Sequence, residues 1–375
     1  MKRVFLYLAA KAAHLKNIII SVTNDLTSDQ RLEKVCDTLF NNGYQITLIG
    51  RKLTTSIPIS RKYKTQRMSL LFRKGFLFYA EYNLRLFIKL LFLKKDLLLA
   101  NDLDTLLPNY IVSKLQRKTL LYDSHELFTE IPELINRPKV KRIWKSIEQR
   151  IVPYLQNCYT VSNAIALHYT NAYNTSFKVV RNFPKTQQIA RGRFPFDTRT
   201  KKIIIYQGAV NIGRGLELML DSMNYLDDYL LVIIGTGDIL NDLQERATPL
   251  INSKKVVFLG KLLPQELRKL TPLATLGISL EEDLGLSYRY ALPNKIFDYV
   301  HAEIPVLCSN LPEMKAMISQ FGFGEVVQHR SPEKLASQIR NLAFKKYAAA
   351  SRNAKKTLHW EQEEQTLLAL YNNAT

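Results

Sequence analysis

The chain has 375 residues, above the usual size of one domain, so two domains are expected. Its apolar fraction of 46% is ordinary globular composition and excludes a low-complexity or collagen-like chain. A formal net charge of +20 implies an anionic partner, which could be nucleic acid, an acidic membrane surface or a phosphorylated substrate.

The N-terminus, MKRVFLYLAAKAAHLKN, has a basic start and a short apolar run from Val4 to Ala10. A leader peptide, an added amphipathic turn and an over-called start are all compatible with it, and the sequence leaves open whether residues 1–16 belong to the folded domain. No uninterrupted apolar run reaches the roughly 18 residues that a spanning helix needs. The β-branched run Asn17–Val22 predicts a buried parallel strand. TNDLTSDQR follows as a polar loop, and LEKVCDTLFNNG as a helix ending on Asn-Gly. YQITLIG closes this first βαβ unit. DLLLAND, a helix through IVSKL and KTLLYDSHE repeat the pattern, and QNCYTVSN and FKVVRNFP read as the last strands of this half. Cys36, Cys158 and Cys308 are odd in number and form no CxxC pair. They read as small buried hydrophobes in a reducing compartment.

Residues 183–202, FPKTQQIARGRFPFDTRTKK, are polar, basic and interrupted by prolines, and are expected to link two domains. The alternation then restarts with the strands KKIIIYQGAV, YLLVIIGTG, KVVFLG and LGISLEE, and helices between them. From Ser331 the chain reads as helical and polar-rich. The expected organisation is an N-terminal domain over 1–182, the linker, a second domain over 203–345, and a C-terminal helix over 346–375 packing back on the first domain. Both domains are expected to be α/β, Rossmann-like and doubly wound.

Three stretches of the second half carry binding chemistry. QGAVNIGRGLE runs from a strand into a glycine loop and a helix start. There Gly208, Gly213 and Gly215 allow close backbone approach, and Arg214 supplies a cation. Gly235 and Gly237 form a GTG turn after the next strand, without the ending of a P-loop. YRYALPNKIFDYVHAEIPVL places Pro293 at a first helical position, with the N–H groups of Asn294 and Lys295 directed at an anion. Asp298, one turn on, suits the hydroxyls of a ribose.

In that order, the Gly-loop with its cation, the GTG turn, a strand ending in Glu281 and Glu282, and PNKIFDY before IPVL resemble the nucleotide-sugar half of retaining GT-B glycosyltransferases of family 4, the group 1 glycosyl transferases. The resemblance spans roughly residues 17–330 and is strongest over 203–310. It implies a GT-B fold, with two Rossmann-like parallel-sheet domains facing a central cleft. It implies a nucleotide diphosphate sugar as donor, no cofactor and no metal. Arg214 and Lys295 would stabilise the departing diphosphate, Glu281 or Glu282 would orient the donor sugar, and Asp298 would hold the ribose. The departing phosphate would accept the acceptor's proton, so no protein base is named. His125 would contact the sugar or acceptor. Asp29, Arg31, Asn101, Asp102 and Glu126 would line the acceptor side. The sequence departs from the family at Ala209, where an Arg is usual, at Tyr290, where a Glu is usual, and at Asp298, where Glu is usual. Asp102-Leu103-Asp104 matches the metal motif of the other glycosyltransferase fold, which two βαβ halves contradict, and it reads as a turn.

Residues 61–95 hold ten Lys and Arg against one acid, Glu81, interleaved with Leu, Phe and Tyr at roughly helical spacing. This basic amphipathic pattern suits an anionic membrane surface better than nucleic acid, for which no recognition motif is present. The expected protein is therefore a cytoplasmic enzyme at the inner face of the membrane, acting on a glycan or lipid-linked acceptor in cell-surface polysaccharide synthesis. A nucleotide-sugar 2-epimerase of the same fold and a non-catalytic partner subunit are the alternatives.

Overall fold

A computed structural model describes residues 16–374 except 28, 135, 136, 189, 199 and 200. The N-terminal leader or amphipathic segment lies, up to residue 15, outside the described residues. The chain divides into two compact units. Unit 1 runs to Arg181 and takes back the chain from Glu363, and unit 2 is Asn182–Gln362.

Unit 1 is a seven-stranded, all-parallel sheet. Its strands are β1 (Asn17–Asp25), β2 (Gln45–Lys52), β3 (Lys64–Ser69), β4 (Leu97–Asn101), β5 (Thr119–Ser124), β6 (Asn157–Thr160) and β7 (Phe177–Val179). Their spatial order is 3-2-1-4-5-6-7. The helices needed below are α1 (Gln30–Asn41), α2 (Gly75–Phe92), α3 (Leu103–Gln116) and α4 (Pro138–Ile151), with α5 over Asn163–Tyr173. Strand β4 is buried at every position, as a central parallel strand covered on both faces must be. β3 was not expected, because residues 61–95 read as helical throughout. KTQRMS is polar on both faces because β3 is the edge strand, and only Met68 is buried. The helical spacing belongs to α2 alone.

Unit 2 is a six-stranded parallel sheet. Its strands are β8 (Lys202–Gln207), β9 (Tyr229–Ile234), β10 (Val256–Gly260), β11 (Leu276–Ser279), β12 (Val306–Cys308) and β13 (Gly324–Val326), in the order 10-9-8-11-12-13. Between them run α6 (Leu216–Ser222), α7 (Leu240–Arg246), α8 (Thr248–Asn252), α9 (Pro264–Leu270), α10 (Leu286–Arg289), α11 (Asn294–His301) and α12 (Pro312–Phe321). Alternation along β8 sends Ile203 and Ile205 into one apolar core, and Ile204 and Tyr206 into the other, on the opposite face of the sheet. Residues 183–202 are not a free linker. They fall within unit 2, where Phe183 and Phe194 are buried in the core, Phe183 with its ring 4.6 Å from that of Phe297.

The C-terminal region is three helices, α13 (Pro332–Asn341), α14 (Phe344–Ala354) and α15 (Trp360–Asn373). The part of α15 in unit 1 is held by polar contacts. Thr38 donates to Glu364 at 2.6 Å, the Arg181 N–H to Glu363 at 2.9 Å and the Tyr44 hydroxyl to Asn372 at 3.1 Å. The Tyr371 and Tyr159 hydroxyls, both buried, meet at 3.3 Å.

Candidate functional site

Strand order reverses direction between β8 and β11 in unit 2, and between β1 and β4 in unit 1. In open α/β sheets, ligands bind outside the carboxyl ends of the strands at such points. The sequence-predicted residues of unit 2 gather there. Gly208 follows β8, Gly235 and Gly237 follow β9, and Glu281 and Glu282 follow β11.

The loops are locked together through their backbones. The Gly208 N–H donates to Ile234 O at 3.0 Å, Val210 N–H to Thr236 O at 3.0 Å and Glu282 N–H to Gly213 O at 2.8 Å. Two glycines are required by contact. A Cβ on Gly235 would lie 1.8 Å from the Gly208 carbonyl oxygen. One on Gly215, whose φ is +68°, would lie 2.1 Å from that of Leu280. Gly215 is thus where the chain turns into α6, and it sets Arg214 beside the end of β11.

The centre of the site is Glu281, whose side chain is fully buried. Lys295 Nζ donates to its Oε1 at 2.7 Å, the Ser279 hydroxyl to its Oε2 at 2.7 Å, and an Arg214 nitrogen stands 3.6 Å from Oε1. Both cations also rest on aromatic rings, Lys295 at 4.3 Å from the Tyr206 ring and Arg214 at 4.8 Å from that of Tyr288. Burial alone would raise the Glu281 carboxyl, but Lys295, Arg214 and the two hydrogen bonds hold it below the ordinary range. Two cations around one carboxylate leave an excess of one positive charge at the carboxyl ends of β8 and β11.

This arrangement revises the reading of Lys295. Pro293 is the N-cap of α11 and Asn294 its exposed first residue, whereas the Lys295 side chain turns inward and is buried against Glu281. It also separates the two glutamates. Glu281 positions the cations, and Glu282, partly exposed, lies 3.6 Å from Arg330. Asp298 accepts from the Gln207 side chain at 2.8 Å, and Gln207 in turn accepts from the Thr271 hydroxyl at 2.9 Å.

Sequence reasoning missed Tyr206, Gln207, Ser279, Tyr288 and Arg330. Arg330 donates to the Leu280 carbonyl at 3.0 Å and to the Ser309 hydroxyl at 3.1 Å, and Ser309 donates to the Glu281 carbonyl at 2.6 Å. No local pattern flags Arg330, which comes from beyond β13. Gln207 and Tyr206 were within reach, as the last two residues of a strand already read as pointing at the site.

Unit 1 carries a second constellation. The Arg31 guanidinium is buried and grips Asp123 with two nitrogens, at 3.0 and 2.9 Å. Asp123 also meets His125 Nε2 at 2.9 Å, and His125 Nδ1 lies 3.2 Å from Asp102. The His125 N–H donates to the same Asp102 carboxylate at 2.8 Å. Asp102 holds φ 57° and ψ 170°, a region almost confined to glycine and found at functional sites. Asp123 was the missed member. It stands two residues before His125 on β5, so both point to the same side.

The remaining acceptor-side residues have structural partners. Asp29 caps α1 through the Leu32 N–H at 2.9 Å, and Asn101 is buried with its amide on the Ser21 carbonyl at 3.1 Å. Arg31 faces inward, and Glu126 is exposed.

Burial by itself would lower the His125 pKa, but Asp102 and Asp123 outweigh it and raise it well above its ordinary value. The imidazole is thus a cation at neutral pH and not a base. A raised histidine stabilises the folded state fully below its unfolded pKa, about 6.5, and this contribution is lost as pH rises through the folded value. Asp104 acts in the same direction at lower pH. Burial, then Asp102, push its carboxyl up to about 7, so stability falls as pH rises from its unfolded value of about 3.9. Unit 1 is expected to lose stability from mildly acidic to alkaline pH. Asp104→Asn should flatten the fall below neutrality, and His125→Asn the alkaline part, read by Trp144 fluorescence in urea series. An alkaline limb unchanged by His125→Asn would contradict this account.

Among the described residues, no group of three His, Cys, Asp or Glu stands close enough to hold a metal ion, and no helix is long and apolar enough to cross a membrane. The three cysteines are free and buried.

Residues 191–357 match the family described as glycosyl transferases group 1. No curated protein matches the chain. Solved structures do. A sucrose-phosphate synthase from Thermosynechococcus elongatus is 14% identical, with a TM-score of 0.77 over 96% of this chain and 98% of that one. The Anabaena protein HepE, in complex with UDP-glucose, is 12% identical, with a TM-score of 0.68 over 96% and 100%. WaaG, a glycosyltransferase involved in lipopolysaccharide biosynthesis, is 13% identical, with a TM-score of 0.65 over 94% and 99%. The likeness establishes the fold, which is GT-B.

Proposed function

We propose that the chain is a retaining, metal-independent glycosyltransferase of family 4. It moves a sugar from a nucleotide diphosphate sugar to a glycan or lipid-linked acceptor in cell-surface polysaccharide synthesis. The observation that carries this reading is the pair Lys295 and Arg214 around buried Glu281, at the switch point of the unit that matches the group 1 family. A departing diphosphate gathers negative charge, and fixed cations aimed at that charge are the usual electrostatic strategy. These side chains supply the positive charge that a divalent ion supplies elsewhere. Glu282 would orient the donor sugar, and Asp298, braced by Gln207, the ribose. Unit 1 would receive the acceptor near Asp102, His125 and Glu126. The diphosphate itself would take the acceptor's proton, consistent with a His125 that is already charged. The enzyme would work at the inner face of the membrane, drawn there by the basic surface of residues 61–95.

A thermal-shift screen across UDP- and GDP-sugars tests the donor site. One of them should stabilise the protein, Asp298→Ala should weaken the effect, and activity with that donor should survive chelation of divalent ions. If no nucleotide sugar binds, the reading fails.

A further inference from the structure

The carboxyl ends of β2 and β3 hold a second concentration of positive charge that the donor site does not use. A cavity of about 320 Å³ opens there, with Arg51, Lys52, Arg73, Ser56, Phe72 and Phe78 in its lining. None of its three cations has a hydrogen bond or ion pair among the described residues. The Arg51 guanidinium lies 4.8 Å from the centre of the Phe78 ring, and its Nε is buried without a partner. A desolvated cationic N–H left unpaired costs free energy unless a ligand completes it. The nearby acids are engaged elsewhere. Asp25 takes the Ser56 hydroxyl and lies 3.5 Å from Arg67. Glu81 accepts from the Leu71 and Phe72 N–H groups, both at 2.9 Å, and pairs with Arg85 at 2.7 Å.

The outer surface of α2 and of the segment before it is apolar. Leu71 and Phe92 are 79% and 84% exposed, and Phe76, Leu77, Leu84 and Ile88 of α2 are also exposed. The opposite face of α2 packs inward through Phe78, Tyr82, Leu86 and Leu90, so the helix is apolar on two sides. One apolar face is enough for packing on a sheet; the second has no such use. The pattern continues on α3 at Leu107, Ile111 and Leu115, and on α4 at Val140 and Ile143. Cations are exposed on the same helices, at Arg85, Lys114, Lys139 and Arg142. Of their three acids, Asp104 and Glu148 are buried and Glu81 is the one paired above.

We propose that the Arg51–Lys52–Arg73 cavity binds the dianionic phosphate headgroup of a membrane lipid, while the apolar residues of α2, α3 and α4 enter the headgroup layer of the bilayer. The inference rests on the membrane reading above and deepens it. Three unpaired cations in one cavity match a phosphomonoester, which carries close to two charges near neutrality, better than a singly charged diester. Each exposed Lys or Arg near an anionic leaflet adds attraction, and the apolar side chains add the area they bury.

Co-sedimentation of the full chain with three vesicle types tests this: phosphatidylcholine alone, with phosphatidylserine, and with phosphatidic acid matched to the same surface charge. The phosphatidic acid vesicles should bind about tenfold more tightly than the phosphatidylserine ones, the size of one good charge-assisted contact. Arg51→Gln/Arg73→Gln should abolish that preference and keep binding to phosphatidylserine. Leu84→Ser/Phe92→Ser should weaken binding to every vesicle, with both variants checked for unchanged thermal unfolding. If the pocket variant keeps the preference, the cavity proposal is overturned and the membrane reading survives. If no vesicle binds, both fall. Competition by micromolar glycerol phosphate would assign the cavity to a soluble ligand and overturn the lipid assignment. Self-association abolished by Leu84→Ser/Phe92→Ser, without vesicle binding, would make the face a contact between copies and overturn it too.

Discussion

Replacing Lys295 with methionine is expected to cost about 3–5 kcal/mol of unfolding free energy in unit 2, because it strips a fully buried carboxylate of its nearest countercharge. Arg214, at 3.6 Å and more exposed, replaces little of that contact. Glu281 is a carboxyl held below its ordinary range. Its contribution is therefore present above the unfolded value, about 4.3, and lost as pH falls through the folded one. In Lys295→Met that contribution should vanish at neutral pH, and the variant should lose less on acidification than the parent does. The double variant Lys295→Met/Glu281→Gln, which removes both charges, should recover most of the stability. Activity should behave differently. Each variant lacks a fixed cation at the diphosphate position, and turnover should fall about 10²–10³-fold in both. The chain has two tryptophans, and with Trp144→Phe as background Trp360 reports on unit 2. A Lys295→Met protein as stable as its parent would sink the account of Glu281.

A loss of similar size, about 3–5 kcal/mol, is expected in unit 1 for Arg31→Met. Arg31 and Asp123 are 4% and 1% exposed at their side chains. The guanidinium also donates to the Val180 carbonyl at 2.8 Å, so one side chain ties α1 to β5 and to the residue after β7. Arg31→Lys should recover only part of the loss, since a single ammonium cannot reproduce the two-nitrogen grip on Asp123. The His125 titration supplies a second readout. With Arg31 removed, Asp123 keeps His125 as its close cationic partner, and the alkaline loss of stability should steepen. Trp144 fluorescence through a urea series measures both. Equal stability of Arg31→Lys and the parent would show that charge, not geometry, matters there.

The sequence made the two sheets legible because parallel strands buried on both faces are nearly continuous apolar runs. NIIISV, DLLLAN and YLLVIIG announce themselves. β3 and β13 did not, since one is a polar edge strand and the other only three residues long. The 183–202 stretch looked like a linker because Phe183 and Phe194 are isolated apolar residues in a polar run, with no period to reveal their burial. At the candidate site the cations and carboxylates were visible, but their pairing was not. Lys295 read as facing an anion because a helix start gives no hint that Glu281, 14 residues earlier, sits beneath it. Arg330 was invisible for the same reason, as it meets Leu280 and Glu282 only through the order of β11, β12 and β13. In unit 1, the alternation Asp123, Ser124, His125 held enough information to join the two outer residues. What it lacked was Arg31, brought from 92 residues away.

The return of the chain to unit 1 at Glu363 bears on how the protein is born. Synthesis usually lets the N-terminal domain fold first. Here unit 1 is not one continuous stretch, because its part of the last helix lies beyond the whole of unit 2, Asn182–Gln362. Thr38, Tyr44 and Tyr159 meet Glu364, Asn372 and Tyr371 only across that intervening unit. Closing so long a loop costs chain entropy, so synthesis of the first half alone does not complete the N-terminal unit.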